Sequence, residues 1–263
     1  MPGRSKATRG SRGARGSART HKLKAADYER AVAERFRTLW PPPRYVVKHN
    51  TRMLGAKSGA KRQIDVRISE AGSDKPFLIA EAKMHGRPLD LPHAGIVIAL
   101  VKDVEAAAAV AVSASGFSVS ASRYLAAQGI ECMVLSVADA SALRWLPHIE
   151  RHFPLDRAFR EPSASLFESL RNADAEPFFD CDVPYEEWLA VFACGRRVFP
   201  EASCTVLLEL ARAHHDDTVR FNAIRLLDEA GGLTCDAAQG LLTAERDPEV
   251  RELLCSLLGA KAP

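Results

Sequence analysis

The alternation of apolar and polar positions changes period along the chain, and each change marks an element. Tyr28, Val32, Phe36 and Leu39 recur at helical spacing. They predict an amphipathic helix that starts at about Asp27, whose carboxylate can cap it, and stops at Pro41-Pro42-Pro43. Three extended segments follow, at Tyr45 to Lys48, Gln63 to Ile68 and Phe77 to Ala82. A loop from Gly55 to Lys61 joins the first two, and Ala71-Gly72-Ser73-Asp74 joins the second and third as a hairpin. After Pro92 a helical stretch runs to about Val104, and Ala107 to Ser113 reads as an apolar strand. Ser118 to Gln128 is a second amphipathic helix stopped by Gly129, and Ile130 to Leu135 supplies a last strand. The order α-β-β-β-α-β-α-β predicts an α/β core with a mixed β-sheet flanked by helices.

From Ala140 onward strand signals fade, and Asp156 to Pro200 reads as mostly helical. The C-terminal part repeats: His215-Asp216-Asp217-Thr218-Val219-Arg220 is echoed by Arg246-Asp247-Pro248-Glu249-Val250-Arg251, an offset of 31 residues. Each copy leads into an apolar helical stripe, Ile224, Leu226 and Leu227 in one and Leu253, Leu254 and Leu257 in the other. An Asp near each helix start caps it, and Pro248 suits a first-turn position. The pattern predicts a stacked α-helical, repeat-like domain and resembles HEAT-type repeats. The expected division is a basic tail at 1–24, the α/β core at 25–140, a helical connecting region at 141–200 and the helical repeats at 201–263.

Composition adds limits. A chain of 263 residues with 47% hydrophobic content can bury one large core or two modest ones. No run approaches the roughly 18 apolar residues of a membrane helix, so a soluble protein with no membrane partner is expected. The formal net charge is +3. Residues 1–24 hold eight Lys and Arg and no acid, so the rest stands at three minus eight, or −5. The tail has too few large apolar groups to offset the entropy of ordering it, and disorder is expected. It serves either to attract phosphates, with salt-sensitive and sequence-blind affinity, or only to solubilise, with an organelle transit peptide a weaker third reading because no apolar face appears before Leu23. The six cysteines form no C-x-x-C pair. Their scatter, without a secretory h-region, fits reduced thiols, a cytoplasmic location and structural roles in the core.

One constellation carries chemistry. Asp65 sits in Arg62-Gln63-Ile64-Asp65-Val66, and Glu81 and Lys83 sit in Ile79-Ala80-Glu81-Ala82-Lys83. In a strand Glu81 and Lys83 share a face, while Ala80 and Ala82 take the other. Pairing through the Gly72 hairpin lets Asp65 approach Glu81. Two adjacent carboxylates repel, and a hard divalent cation such as Mg²⁺ relieves the repulsion through oxygen coordination. Lys83 adds a point positive charge for a phosphate or an attacking water. A solvated strand edge accounts for the same triplet, and these residues alone leave both readings open.

Together with Tyr28-Glu29 on the first helix and Gly116-Phe117-Ser118 leading through Ala121, these motifs span roughly 110 residues. In order and spacing the segment resembles the Mrr-type restriction endonuclease domain of the PD-(D/E)xK nuclease superfamily. The resemblance implies a restriction-endonuclease-like core. It further implies Mg²⁺ (or Mn²⁺) held by Asp65, Glu81 and the Ala82 carbonyl, Lys83 acting on the water, and Glu29 as an auxiliary acid. Several members carry Gln where Glu81 stands, so this chain keeps the general superfamily pattern. The implied activity is cleavage of DNA phosphodiesters in restriction of foreign DNA. Lys57, Lys61, Arg62 and Gln63 are candidate contacts to the DNA backbone, against the alternative of a flexible polar loop.

His49, His85 and His93 lie near this centre but show no metal-ligand spacing, and surface or supporting roles are expected. Neither a G-x-S-x-G elbow nor a phosphate-binding Gly loop ending in Lys-Ser/Thr occurs, which disfavours serine hydrolysis and nucleotide hydrolysis. Two other functions stay open. One is a non-cleaving nucleic-acid-binding module that uses the basic tail. The other is a scaffold that binds a protein partner through the C-terminal helices. A homodimer would let two centres cut two strands.

Overall fold

A computed structural model describes residues 23–181 and 183–261. The basic tail falls almost wholly outside them. Helix α1 (Ala25–Leu39) precedes strands β1 (Tyr45–Leu54), β2 (Lys61–Glu70) and β3 (Leu78–Lys83). Helix α2 (Leu91–Val104), β4 (Ala108–Ser113), α3 (Val119–Ala126) and β5 (Ile130–Val134) complete the expected order. The five strands form one mixed sheet in chain order, with β1, β2 and β3 antiparallel and β3, β4 and β5 parallel. Gly72, at φ +82°, makes the β2–β3 turn in a conformation that L side chains rarely adopt.

Strand periodicity divides the sheet between two cores. Ala80, Ala82, Val110 and Val112 pack with Tyr28, Val32 and Phe36 of α1. Ile79, Ala109 and Ala111 pack with Val97, Ile98 and Leu100 of α2 and Leu125 of α3. Buried on both faces, β3 and β4 read as apolar runs rather than alternating ones. Each fully buried large side chain, such as Phe36 or Ile79, contributes roughly 1.5–3 kcal/mol.

Two local expectations are corrected. Asp27 does not cap α1: the helix begins at Ala25 with Lys24 in the cap position and no side-chain cap bond. Asp27 instead lies in the first turn, where a negative charge suits the helix dipole, and pairs with Arg30. The six cysteines are not generally core residues. Cys194 is buried, Cys181 and Cys204 are half-buried, and Cys132, Cys235 and Cys255 are exposed. A small thiol has little area to bury, so its position follows its neighbours.

Beyond the sheet run α4 (Val137–Leu143), α5 (Leu146–Glu150), α6 (Arg160–Arg171) and α7 (Tyr185–Val198), with short 3-10 turns before α6 and α7. Leu143, Leu146 and Ala164 join the α1-side core, so α4, α5 and α6 dock on that core rather than hang from it. Arg160, 8% exposed, ties the two together by ion pairs to Glu34 of α1 and Glu150 of α5. Helices α8 (Pro200–Ala213), α9 (Asp217–Glu229), α10 (Cys235–Ala244) and α11 (Pro248–Lys261) follow. The 31-residue echo is structural. Asp216 caps α9 by accepting from Thr218 and Val219 N–H, and Asp247 accepts from Glu249 and Val250 N–H. Arg220 donates to the His214 carbonyl as Arg251 does to that of Glu245, each tying off the preceding helix end.

Candidate active site

The centre lies where β2 and β3 part. Their pairing runs from Ile68↔Leu78 to Val66↔Ala80 and ends there. One step beyond, Asp65 and Glu81 occupy the facing positions. The Ala82 N–H, left without a ladder partner, donates to Asp65 Oδ2 at 2.9 Å. Asp65 is 5% exposed, so that bond also fixes a buried carboxylate. On β1 the pairs His49↔Val66 and Thr51↔Ile64 flank Asn50, which adopts φ +50° opposite Asp65. Asn tolerates this left-handed conformation better than most residues.

Carbonyls alternate in direction along β3. Those of Phe77 and Lys83 accept from Ala108 and Ala114 N–H on the β4 side. The Ala82 carbonyl, one residue out of phase with Lys83, therefore points with its N–H toward Asp65. Glu81 and Lys83 share a face, and Lys83 Nζ lies 2.5 Å from Glu81 Oε1. The other oxygen, Glu81 Oε2, is buried and has no hydrogen-bond partner. Burial, with the negative charge of Asp65 next, raises the Glu81 pKa, and Lys83 only partly opposes this.

Glu29 reaches the same place from α1. Its predecessor Tyr28 is fully buried and donates from its hydroxyl to the Leu135 carbonyl at 2.9 Å, which sets the rotation of the helix. Burial and the charge of Asp65 raise the Glu29 pKa, and Lys83 lowers it. His49 Nε2 stands 3.8 Å from Glu29 Oε2. Burial and the nearby Arg30 charge lower the His49 pKa, against the pull of Asp65. Sequence spacing gave no sign of this contact, because it depends on how α1 lies across β1.

The other candidates separate. Lys57 on the β1–β2 loop and Lys61 and Gln63 at the start of β2 are exposed. Arg62 pairs with Asp103 of α2 at 2.7 Å. Asp103 also accepts from Ser58 N–H and hydroxyl at 2.8 and 2.7 Å, and these bonds hold its pKa below the usual carboxylate range. A Cβ on Gly55 would sit 2.5 Å from Asp103 Oδ2, so only glycine fits this clamp. The loop is therefore anchored at one end, and Arg62 already has an anionic partner. His85 and His93 meet edge to face at 4.7 Å beyond Lys83, with His93 Nδ1 2.5 Å from Asp90.

Among the described residues no three His, Cys, Asp or Glu side chains form a metal-binding group. The ligand set expected above is smaller, two carboxylates and a backbone carbonyl. It fits the residues present: Asp65 and Glu81 repel, Glu81 Oε2 lacks a partner, and the Ala82 carbonyl faces the same opening.

No family model matches the chain, and no curated protein matches it. A solved structure titled "Crystal Structure of Protein of Unknown Function AF1548" aligns over 66% of this chain and 100% of that one, at 16% identity and a TM-score of 0.36. At that level the likeness carries no argument about fold or activity. No helix among the described residues is long and apolar enough to cross a membrane.

Proposed function

We propose that the protein is a metal-dependent DNA endonuclease with a restriction-endonuclease-like core, in keeping with its Mrr-type motifs, acting against foreign DNA. One observation carries this reading. At the point where two strands part, a buried carboxylate, Asp65, and a half-buried one, Glu81, come near enough to repel, and Glu81 Oε2 has no protein donor. A purely structural carboxylate would be expected to satisfy both oxygens.

Asp65, Glu81 and the Ala82 carbonyl would hold Mg²⁺ or Mn²⁺. When bound, such an ion supplies positive charge for a phosphate oxygen and for the attacking water. Lys83 brings a second positive charge, on a stem long enough to move between Glu81 and the phosphate. Glu29, with its raised pKa, accepts or holds a proton beside Asp65. In the reaction a water oxygen bonds to phosphorus and the bond from phosphorus to the sugar oxygen breaks. The water proton leaves through these side chains, and solvent protonates the departing oxygen.

The test is cleavage of plasmid and linear DNA with Mg²⁺ or Mn²⁺. Wild-type protein nicks or cuts both, and Glu81→Ala and Lys83→Ala each lower the rate by about a thousandfold or more. Cleavage that survives both substitutions would place the activity elsewhere.

A further inference from the structure

A cleft of about 760 Å³ opens between α1, β1 and the corner joining α4 to α5. Arg30, Arg37, His49, Arg144, His148 and Arg151 line it. His49 belongs both to this wall and to the centre, since its ring faces Glu29. Polar atoms without partners gather here: of the nine buried ones among the described residues, His49 Nε2, Arg144 Nε and His148 Nε2 all lie on this cleft. Four arginines and two histidines along one wall suit an anionic occupant.

The acids of the wall do not cancel this character. Asp27 pairs with Arg30, Glu34 with Arg37 and Arg160, and Glu150 with Arg160. Arg144 shares Glu168 with Arg171, and Arg151 is exposed and forms no ion pair among the described residues. The Arg144 guanidinium lies 4.7 Å from the Trp145 ring centroid, a flat cation of the kind on which an unpaired base stacks.

We propose that this cleft holds one strand of nucleic acid as it leaves the Asp65–Glu81–Lys83 centre, with Arg30 and Arg151 on its phosphates and Arg144 against a base. The helices after the sheet thereby form the second wall of the substrate path. The inference rests on the nuclease reading of the adjoining centre. A phosphodiester strand is favoured over an acidic peptide because His49 joins the cleft wall to Glu29, beside a centre suited to phosphate.

The experiment measures binding of a fluorescein-labelled 20-nucleotide single-stranded DNA to the full chain by anisotropy, in EDTA, across a NaCl series. Arg30→Gln/Arg151→Gln weakens binding at least tenfold at about 0.1 M salt. It also makes the slope of log affinity against log salt shallower by about 1.4, or about 0.7 for each lost phosphate contact. Arg212→Gln, on α8, leaves both unchanged. Arg151→Gln alone, at a side chain with no ion pair among the described residues, gives half the slope change and serves if the double variant unfolds. An unchanged slope in the Arg151 variants overturns the proposal, as does competition by polyglutamate equal to that by unlabelled DNA. Wild-type binding together with wild-type cleavage in the double variant refutes the cleft and leaves the nuclease reading intact. Loss of binding in a protein that never cleaves refutes the nuclease reading alone.

Discussion

Two glutamates, each beside a cation, sit in different parts of this molecule, one after α10 and one on β3. Glu245, after α10, receives both forks of Arg220 at 2.8 and 2.9 Å and the backbone N–H groups of Arg246 and Asp247. Its pKa is pulled down to about 2, chiefly by the Arg220 hydrogen bond. Glu81, at the end of β3, meets one ammonium and keeps an oxygen without a donor, and burial followed by the charge of Asp65 raises its pKa. Both are largely enclosed, at 7% and 12% side-chain exposure. Burial pushes both pKa values up; at Glu245 the donors outweigh it, and at Glu81 they do not. One arrangement is complete as a protein, and the other is completed by a positive ligand.

The widest contrast comes from removing the satisfied partner. Arg220→Ala leaves Glu245 enclosed with half its donors gone and strips the His214 and His215 carbonyls of theirs. A loss of about 3 kcal/mol is expected, read as a fall in the urea midpoint at unchanged slope. A loss under about 1 kcal/mol would reduce the Arg220–Glu245 pair to an ordinary surface bridge. Next comes ligand-linked stability. Mg²⁺ at a hundredfold excess over its dissociation constant should stabilise the wild type by about 2.7 kcal/mol, and Glu81→Ala should lose most of that gain. Equal stabilisation of both proteins would place the cation away from Glu81.

Much of this contrast was legible in the sequence, though unevenly. Strand periodicity placed Glu81 and Lys83 on one face, and the Gly72 turn brought β2 back beside β3. The 31-residue echo marked Asp216 and Asp247, which occupy equivalent caps. What escaped depends on contacts between elements far apart in the chain. The Asp103 clamp on Ser58 and Arg62 joins residues 45 and 41 positions apart, and the His49–Glu29 approach depends on packing of α1 over β1. The docking of α4 to α6 on the α1 core was equally hidden, because Leu143, Leu146 and Ala164 look like any amphipathic stripe. The Asp27 cap failed for a local reason. Any acid in the first turn gains from the helix dipole, so composition alone does not separate the cap from the turn.

Acid should act on the satisfied glutamate in a defined window. A carboxyl group with a depressed folded pKa contributes stability that is complete above its unfolded value, near 4.3, and is lost as pH falls through about 2. Allowing for solvent screening around the pair, about 1–2 kcal/mol disappears over that interval. The stability difference between wild type and Glu245→Gln, followed from pH 7 to pH 2, should collapse there. A difference that stays constant with pH would mean that Glu245 is not held ionised by Arg220.

The smallest effect has the most informative sign. A raised folded pKa means that the ionised Glu81 costs more in the folded protein than in the unfolded chain. Glu81→Gln removes that charge, ends its repulsion with Asp65 and Glu29, and leaves an amide oxygen for Lys83 Nζ. Measured in EDTA, the variant should be more stable than the wild type by about 0.5–1 kcal/mol, the usual direction when a site is shaped for a ligand rather than for stability. The same change at Glu245 should destabilise, because Arg220 and two backbone donors lose an ionic acceptor. Opposite signs at the two positions follow from the difference in donors. If both substitutions destabilise alike, Glu81 is a structural ion pair and the case for a cation at the end of β3 falls with it.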